Sequence, residues 1–163
     1  MDPVSLSLHH TAIVVRNLDR SIAFYERFFG GRVETILRDV DDPQIAQLHD
    51  LEDARFTLAF VRFGPTRLEL FQFERPTDGR SLPDRANDFG VRHICFEVPN
   101  LAETYKRMKV AGVRFTRPPY TVPDSEASGT VLAFCADPDG TRVELLQPGR
   151  ELGETPGTSS ITA

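Results

Sequence analysis

LHHTAIVVRNLDRSIAFY (residues 8–25) and VRHICFEVPNLAETYKRM (residues 91–108) are two copies of one strand–turn–helix pattern. Laid over each other at an offset of 83, His10 falls on His93, Asn17 on Asn100, Leu18 on Leu101 and Ile22 on Tyr105. Further along, RLELFQ (67–72) falls on RVELLQ (142–147) at an offset of 75, so Glu69 matches Glu144. An internal repeat reports architecture before any single motif does.

Working outward from the first copy, residues 8–15 read as an apolar strand, and residues 17–19 as a turn able to cap a helix. Ile22, Phe24, Tyr25, Phe28 and Phe29 recur at helical spacing, and Gly30-Gly31 supplies the left-handed stop. Residues 32–37, 56–63 and 67–73 read as strands, giving βαβββ. The second copy repeats the order. Residues 91–98 are a strand, and Asn100 caps a helix carrying Leu101, Tyr105, Met108 and Val110 that ends at Gly112. Residues 113–115 are a short strand, and residues 130–136 and 141–147 form a hairpin around Asp137-Pro138-Asp139-Gly140. The fold class is therefore α+β. The expected organisation is a first module at 6–73, a linker at 74–90, a second module at 91–147 and a flexible tail at 148–163. The two offsets differ by 83 − 75 = 8, so the first copy carries a net excess of eight residues between its helix and its last strand. Residues 39–53 are the place for it, read as a flap or short helix over the site.

Side chains alternate faces along a strand. Ile94, Phe96 and Val98 form one apolar face, and His93, Cys95 and Glu97 the other. In the first copy Ile13 and Val15 take the core role, while His10, Ala12 and Val14 point opposite. The same parity sets Glu69 and Glu144 apart from the leucines and valine beside them. Each module thus offers one imidazole and one carboxylate on the face its helix leaves open. If two such sheets curl together, His10, Glu69, His93 and Glu144 converge. Two imidazoles and two carboxylates suit divalent Zn, Ni, Co, Mn or Fe, and an octahedral ion would keep two positions for water or substrate. A single strand histidine is ordinarily structural and a lone strand glutamate solvated, but neither reading explains why both recur at matched positions. His9 is expected on the helix side by parity. His49, in the flap, reads as solvated, with the substrate as its other partner. Arg67 and Arg142 suit either a substrate carboxylate or a cross-strand acid.

The net charge of −5 and the absence of a basic face argue against nucleic acid. No apolar run approaches the roughly 20 residues that span a bilayer, and no secretion signal is read at the N-terminus. Cys95 and Cys135 lie in apolar strand runs and are expected as buried free thiols. The cytoplasm is the expected location.

On LHHTAIVVRNLDRSIAFYERFFGG and FCADPDGTRVELLQP, the chain resembles the vicinal oxygen chelate superfamily over roughly residues 6–147. That superfamily includes glyoxalase I, methylmalonyl-CoA epimerase, extradiol dioxygenases and bleomycin-type resistance proteins. The resemblance implies paired βαβββ modules forming a curved eight-stranded, incomplete-barrel sheet around a divalent ion. By motif match its ligands are His10, Glu69, His93 and Glu144, with Glu144 also the proton-transfer base. The ion chelates two neighbouring oxygens of a small-molecule substrate and stabilises an enediolate or similar anion. Modules pair within a chain or across a homodimer.

The expected function is thus a metal-dependent, glyoxalase-like lyase or isomerase transferring a proton next to a carbonyl. The alternatives are a methylmalonyl-CoA-epimerase-like enzyme, an Fe(II) ring-cleaving dioxygenase, or a non-catalytic ligand-binding resistance protein. Extradiol dioxygenases of the superfamily combine two histidines with one glutamate and further acid–base residues, which His9 and His49 do not obviously match. Drug-binding members often lack the ligands that this chain retains. The epimerase's own proton-transfer glutamate has only Glu52 as a weak counterpart here. Substrate identity lies in the loops at 39–54 and 117–129.

Overall fold

A computed structural model of the chain describes residues 7–80, 87, 89–123, 127 and 129–149; its two compact units are Met1–Asp88 and Phe89–Ala163. In the first unit the elements run β1 (Thr11–Val14), α1 (Leu18–Phe29), β2 (Arg32–Val40), α2 (Pro43–Leu48), β3 (Arg55–Phe63) and β4 (Thr66–Arg75). They build a four-stranded sheet in the order β1-β4-β3-β2, with β1 parallel to β4 and the other pairs antiparallel. In the second unit β5 (Ile94–Glu97), α3 (Leu101–Val110), β6 (Tyr120–Thr121), β7 (Val131–Ala136) and β8 (Arg142–Gln147) build the matching order β5-β8-β7-β6. The fold is α+β, four strands to each sheet, and neither sheet closes into a barrel.

The two crossovers are built by the same device. Parallel neighbours need a connection long enough to cross the sheet, and a helix supplies it. Asn17 Oδ1 accepts from Arg20 N at 2.8 Å, and Asn100 Oδ1 from Glu103 N at 3.0 Å, so each asparagine caps its helix. A glutamine of the last strand completes each cap: Leu18 N donates to Gln72 Oε1 at 2.7 Å, and Leu101 N to Gln147 Oε1 at 2.8 Å. Two otherwise orphaned amides are thereby satisfied, and each helix start is tied to the strand it must cross. Leu18, Ser21, Ile22, Phe24, Tyr25 and Phe28 are the buried face of α1, which packs on β3 and β4. Gly30 stops the helix in the left-handed conformation, φ 68°. Gly31 permits close approach to the sheet, because a Cβ there would lie 2.7 Å from Val61 Cγ1.

Four local features differ from the sequence reading. Both first strands are shorter than their apolar runs, so His10 and His93 stand just before β1 and β5. The second strand of unit two is Tyr120–Thr121; residues 113–115 contribute only a bridge between Phe115 and Cys135. Pro118 and Pro119 separate the two, and without N–H groups they cannot extend the ladder. Val110 is 86% exposed, being about 200° around the helix from the buried Met108. Both cysteines are free, but Cys95 is exposed; only Cys135 is buried, and burial first and Asp137 second push its thiol up to about 12. The expected tail lies outside the described residues from residue 150 onward.

The excess of unit one falls where α2, a helix of six residues, is inserted between β2 and β3. Asp42 caps it, accepting from Gln44 N at 2.8 Å, and Pro43 opens it, where its missing N–H costs nothing. Ala46 is buried against Phe56, Leu58 and Phe71, with Ile45 and Leu51 packed alongside. Arg75 holds Asp53 at 2.8 Å and Asp41 at 3.2 Å, and Arg55 holds Asp39 at 2.6 Å. Exposed ion pairs of this kind are worth about 0–1 kcal/mol each. The apolar underside therefore holds α2 down, and the arginines fix where its ends lie.

Removing either strand-end cap leaves a helix amide without its acceptor. Gln72→Ala and Gln147→Ala should each lower unfolding free energy by about 1 kcal/mol, read from the urea midpoint. An unchanged midpoint in both variants would show that water replaces the glutamines at no cost.

Candidate metal centre

His10 Nε2 lies 3.0 Å from Glu69 Oε2, and His93 Nε2 lies 3.0 Å from Glu144 Oε2. The separation is identical in the two units because the same register produces it. Ala12 of β1 sits opposite Glu69 in the parallel ladder, and Cys95 of β5 opposite Glu144, so each histidine is two residues upstream of the glutamate's partner. A phenylalanine completes each set. Phe60 pairs with Glu69 across β3–β4, its ring edge-on to His10 at 5.5 Å; Phe134 pairs with Glu144 across β7–β8, its ring edge-on to His93 at 5.6 Å. The glutamate side chains are 11% and 12% exposed, the imidazoles 35% and 41%. Each carboxylate is thus sunk in the sheet beneath a ring that remains open to a ligand.

His9 is not on the helix side. Its Nδ1 lies 2.8 Å from His10 Nδ1, and its ring stands 6.1 Å from Phe60. His9 and His10 both precede β1, so strand alternation does not separate them, and both rings lie edge-on to Phe60. The His10 imidazole is thus flanked by the His9 ring and by Phe60.

Strand parity lays out the rest of this face of unit one. Along β4 it reads Arg67, Glu69, Phe71, Phe73. At one end Arg67 Nε donates to Glu34 Oε2 at 2.6 Å and Arg62 donates to the other oxygen, so Arg67 holds a carboxylate of its own sheet. At the other end α2 covers Phe56 and Phe71, and the exposed His49 lies edge-on to both, at 5.9 and 5.7 Å. Within either unit, the described residues bring together a pair of ligand-type side chains and no group of three or more. The repeat announced the two pairs. It also contains Gln72 with Gln147 at the same offset of 75 and, one residue out of that register, Phe60 with Phe134.

With this geometry in hand, comparison with known proteins is specific. The family model described as the Glyoxalase/Bleomycin resistance protein/Dioxygenase superfamily matches residues 7–145, and the chain belongs to that superfamily. It is 33% identical over 151 residues to the lactoylglutathione lyase of Salmonella typhimurium, covering 91% of this chain and 99% of that one. It is 31% identical over 149 residues to a 2-epi-5-epi-valiolone epimerase of an Actinomyces species, covering 88% and 80%. A glyoxalase family protein from Bacillus cereus superposes with a TM-score of 0.78 at 20% identity, over 91% of this chain and 98% of the other; that likeness concerns the fold. No helix among the described residues is long and apolar enough to cross a membrane.

Desolvation acts to raise the Glu34 carboxyl, but hydrogen bonds from Arg67 and then Arg62 outweigh it and hold the group below its ordinary 4.5. A carboxyl lowered on folding stabilises the protein above its unfolded value and loses that contribution as pH falls through the folded one. Titration by carbon NMR should therefore place Glu34 below the exposed glutamates, and Arg67→Gln should move it back up. An unmoved value would mean that Arg62 alone sets it.

Proposed function

We propose that this protein is a metal-dependent lyase or isomerase of the superfamily, transferring a proton next to a substrate carbonyl. The observation that carries the reading is the duplicated His–Glu pair at 3.0 Å. Two donors about 2.1 Å from one ion and at right angles to each other are themselves about 3.0 Å apart. Each pair therefore has the bite of two adjacent ligands, with no rearrangement of the strands. His10, Glu69, His93 and Glu144 would hold one divalent cation from Zn, Ni, Co, Mn or Fe, whether the units belong to one chain or to two copies in a homodimer. Imidazole and carboxylate donors suit all of these. Such an ion supplies stabilisation of the negative charge that spreads over two neighbouring substrate oxygens.

Within that reading Glu144 takes the proton from the carbon beside the carbonyl and returns it to the neighbouring carbon. A positioned carboxylate of this kind contributes about 10²–10⁴ in rate. The low exposure of Glu144 suits the task, since a base screened from water exchanges its proton with substrate in preference to solvent. The 33% identity with a lactoylglutathione lyase supports the lyase form. The 31% identity with an epimerase supports a second form, in which the proton returns to the same carbon on its opposite face. A soluble, cytoplasmic enzyme acting on a small molecule is the setting this proposal assumes.

Protein purified and reloaded with Ni or Zn should carry one ion per two His–Glu pairs by elemental analysis. In D2O it should place deuterium beside the carbonyl of one of two probes, the hemithioacetal of methylglyoxal with glutathione or an acyl-CoA thioester. Glu144→Gln should lower that exchange at least a hundredfold with an unchanged circular dichroism spectrum. Undiminished exchange in the variant would remove Glu144 from the reaction, and ion-free wild-type protein would remove the reading as a whole.

A further inference from the structure

The two half-sites are alike in their His–Glu–Phe sets and differ in what lies beyond them. In unit one α2 is laid over the face that carries the ligand pair, and it ends at His49. The His49 ring is held edge-on between Phe56 and Phe71 while the side chain remains exposed. Phe71 is two residues beyond Glu69 on β4, on the same face, which puts the two about 7 Å apart along the strand. Phe60 spans the interval, touching the His10 ring on one side and packing against the α2 cluster on the other. The ligand face of unit one therefore carries an imidazole at each end of a strip of phenylalanine.

We infer that His49 is a substrate-positioning residue, which hydrogen-bonds a hydroxyl of the substrate lying two or three bonds beyond the pair of oxygens that face the His–Glu sets. The inference rests on the proposed function, whose site it extends. Three observations select His49. It sits on the same face as the ligand pair, packed on Phe71, which follows Glu69 by two residues along β4. Its ring is fixed by two aromatic neighbours, so little side-chain entropy remains to be lost on bonding a ligand. The Asp42 cap, the buried Ala46 and the Arg55 and Arg75 ion pairs hold the backbone that carries it. At the other end of the face, Arg62 and Arg67 are each bonded through Nε to Glu34. The predicted substrate class is a polyhydroxylated ketone, with apolar C–H surface against Phe60 and a hydroxyl at His49.

Erythrulose and hydroxyacetone are suitable probes: both offer a carbonyl and a neighbouring hydroxyl, and only erythrulose carries further hydroxyls. Calorimetry on the Ni-loaded full chain should give erythrulose about tenfold tighter binding than hydroxyacetone, the size of one well-placed hydrogen bond. His49→Phe, which keeps the ring packed on Phe56 and Phe71, should abolish the preference while leaving hydroxyacetone affinity and Ni stoichiometry unchanged. His49→Asn, which restores a donor near the Nδ1 position, should recover part of it. Equal affinity of the wild type for the two probes, or a preference that survives in His49→Phe, would overturn the inference with the metal centre intact. Loss of Ni from the wild type would instead sink the underlying reading of the site. A preference abolished by His49→Phe without any deuterium exchange would uphold the inference and reject the proposed reaction.

Discussion

In each unit the first strand runs parallel to the last, pairing through only four residues. That short ladder fixes an imidazole from the start of the chain segment beside a carboxylate from its end. Four residue pairs are little to hold an edge strand on their own. The crossover helix supplies the rest, by burying its apolar face on the sheet and by binding its first amide to a glutamine of the last strand. Val15 N donates to Phe71 O at 2.7 Å and Val98 N to Leu146 O at 2.8 Å, extending the ladder by one residue in both units. Helix cap, ladder and ligand pair are therefore coupled. A slip of β1 by one residue would turn His10 to the other face and also misplace the amide that Gln72 accepts from.

Burial decides how the ligand pair behaves chemically. A carboxylate as little exposed as that of Glu69, beside Phe60, would be costly to leave without a partner, and the imidazole donor meets that demand at 3.0 Å. Phe60 and Phe134 contribute by shape, blocking one side of each ring so that its Nε2 faces the glutamate. The edge-on contacts carry a modest energy of about 0.5–1.5 kcal/mol, yet they restrict the ring's rotation.

Much of this was legible because the chain states it twice. The matched offsets set His10 against His93 and Glu69 against Glu144, and in each unit the histidine and the glutamate lie 3.0 Å apart. The difference of eight residues between the offsets located α2, and Gly30 stopped α1 where the sequence indicated. Failures came where a local rule met its boundary. His9 was assigned by alternation, but the chain is not yet a strand at that point. Val110 belonged to an apolar helix yet lies off its buried face. The second strand of unit two was drawn across Val113–Phe115, although Pro118 and Pro119 confine real pairing to Tyr120 and Thr121. The Glu34 clamp was illegible, because it joins β2 to residues of β3 and β4 whose register only the folded sheet sets. Gln72 and Gln147 were in plain view within RLELFQ and RVELLQ, but glutamine carries no fixed role until its neighbour is known.

Duplication gives a fold two equivalent halves, and equivalence is a poor basis for choosing between substrates. A site lined identically on both sides presents the same groups to each end of a ligand, whereas discrimination needs polar groups that one orientation satisfies and the other leaves unpaired. Unit one breaks the equivalence on the face that bears its ligands. Glu34 with Arg62 and Arg67 makes a charged border on one side of Glu69, and α2 with His49 makes an aromatic and polar border on the other. The ligand pair itself is untouched by either, since it depends on β1, β4 and the helix cap. The His–Glu pairs thus depend on the strands and the helix caps, which the two units share. The six-residue helix, seated on Phe56 and Phe71 and tied at its ends by exposed arginines, is what sets the first unit apart from the second.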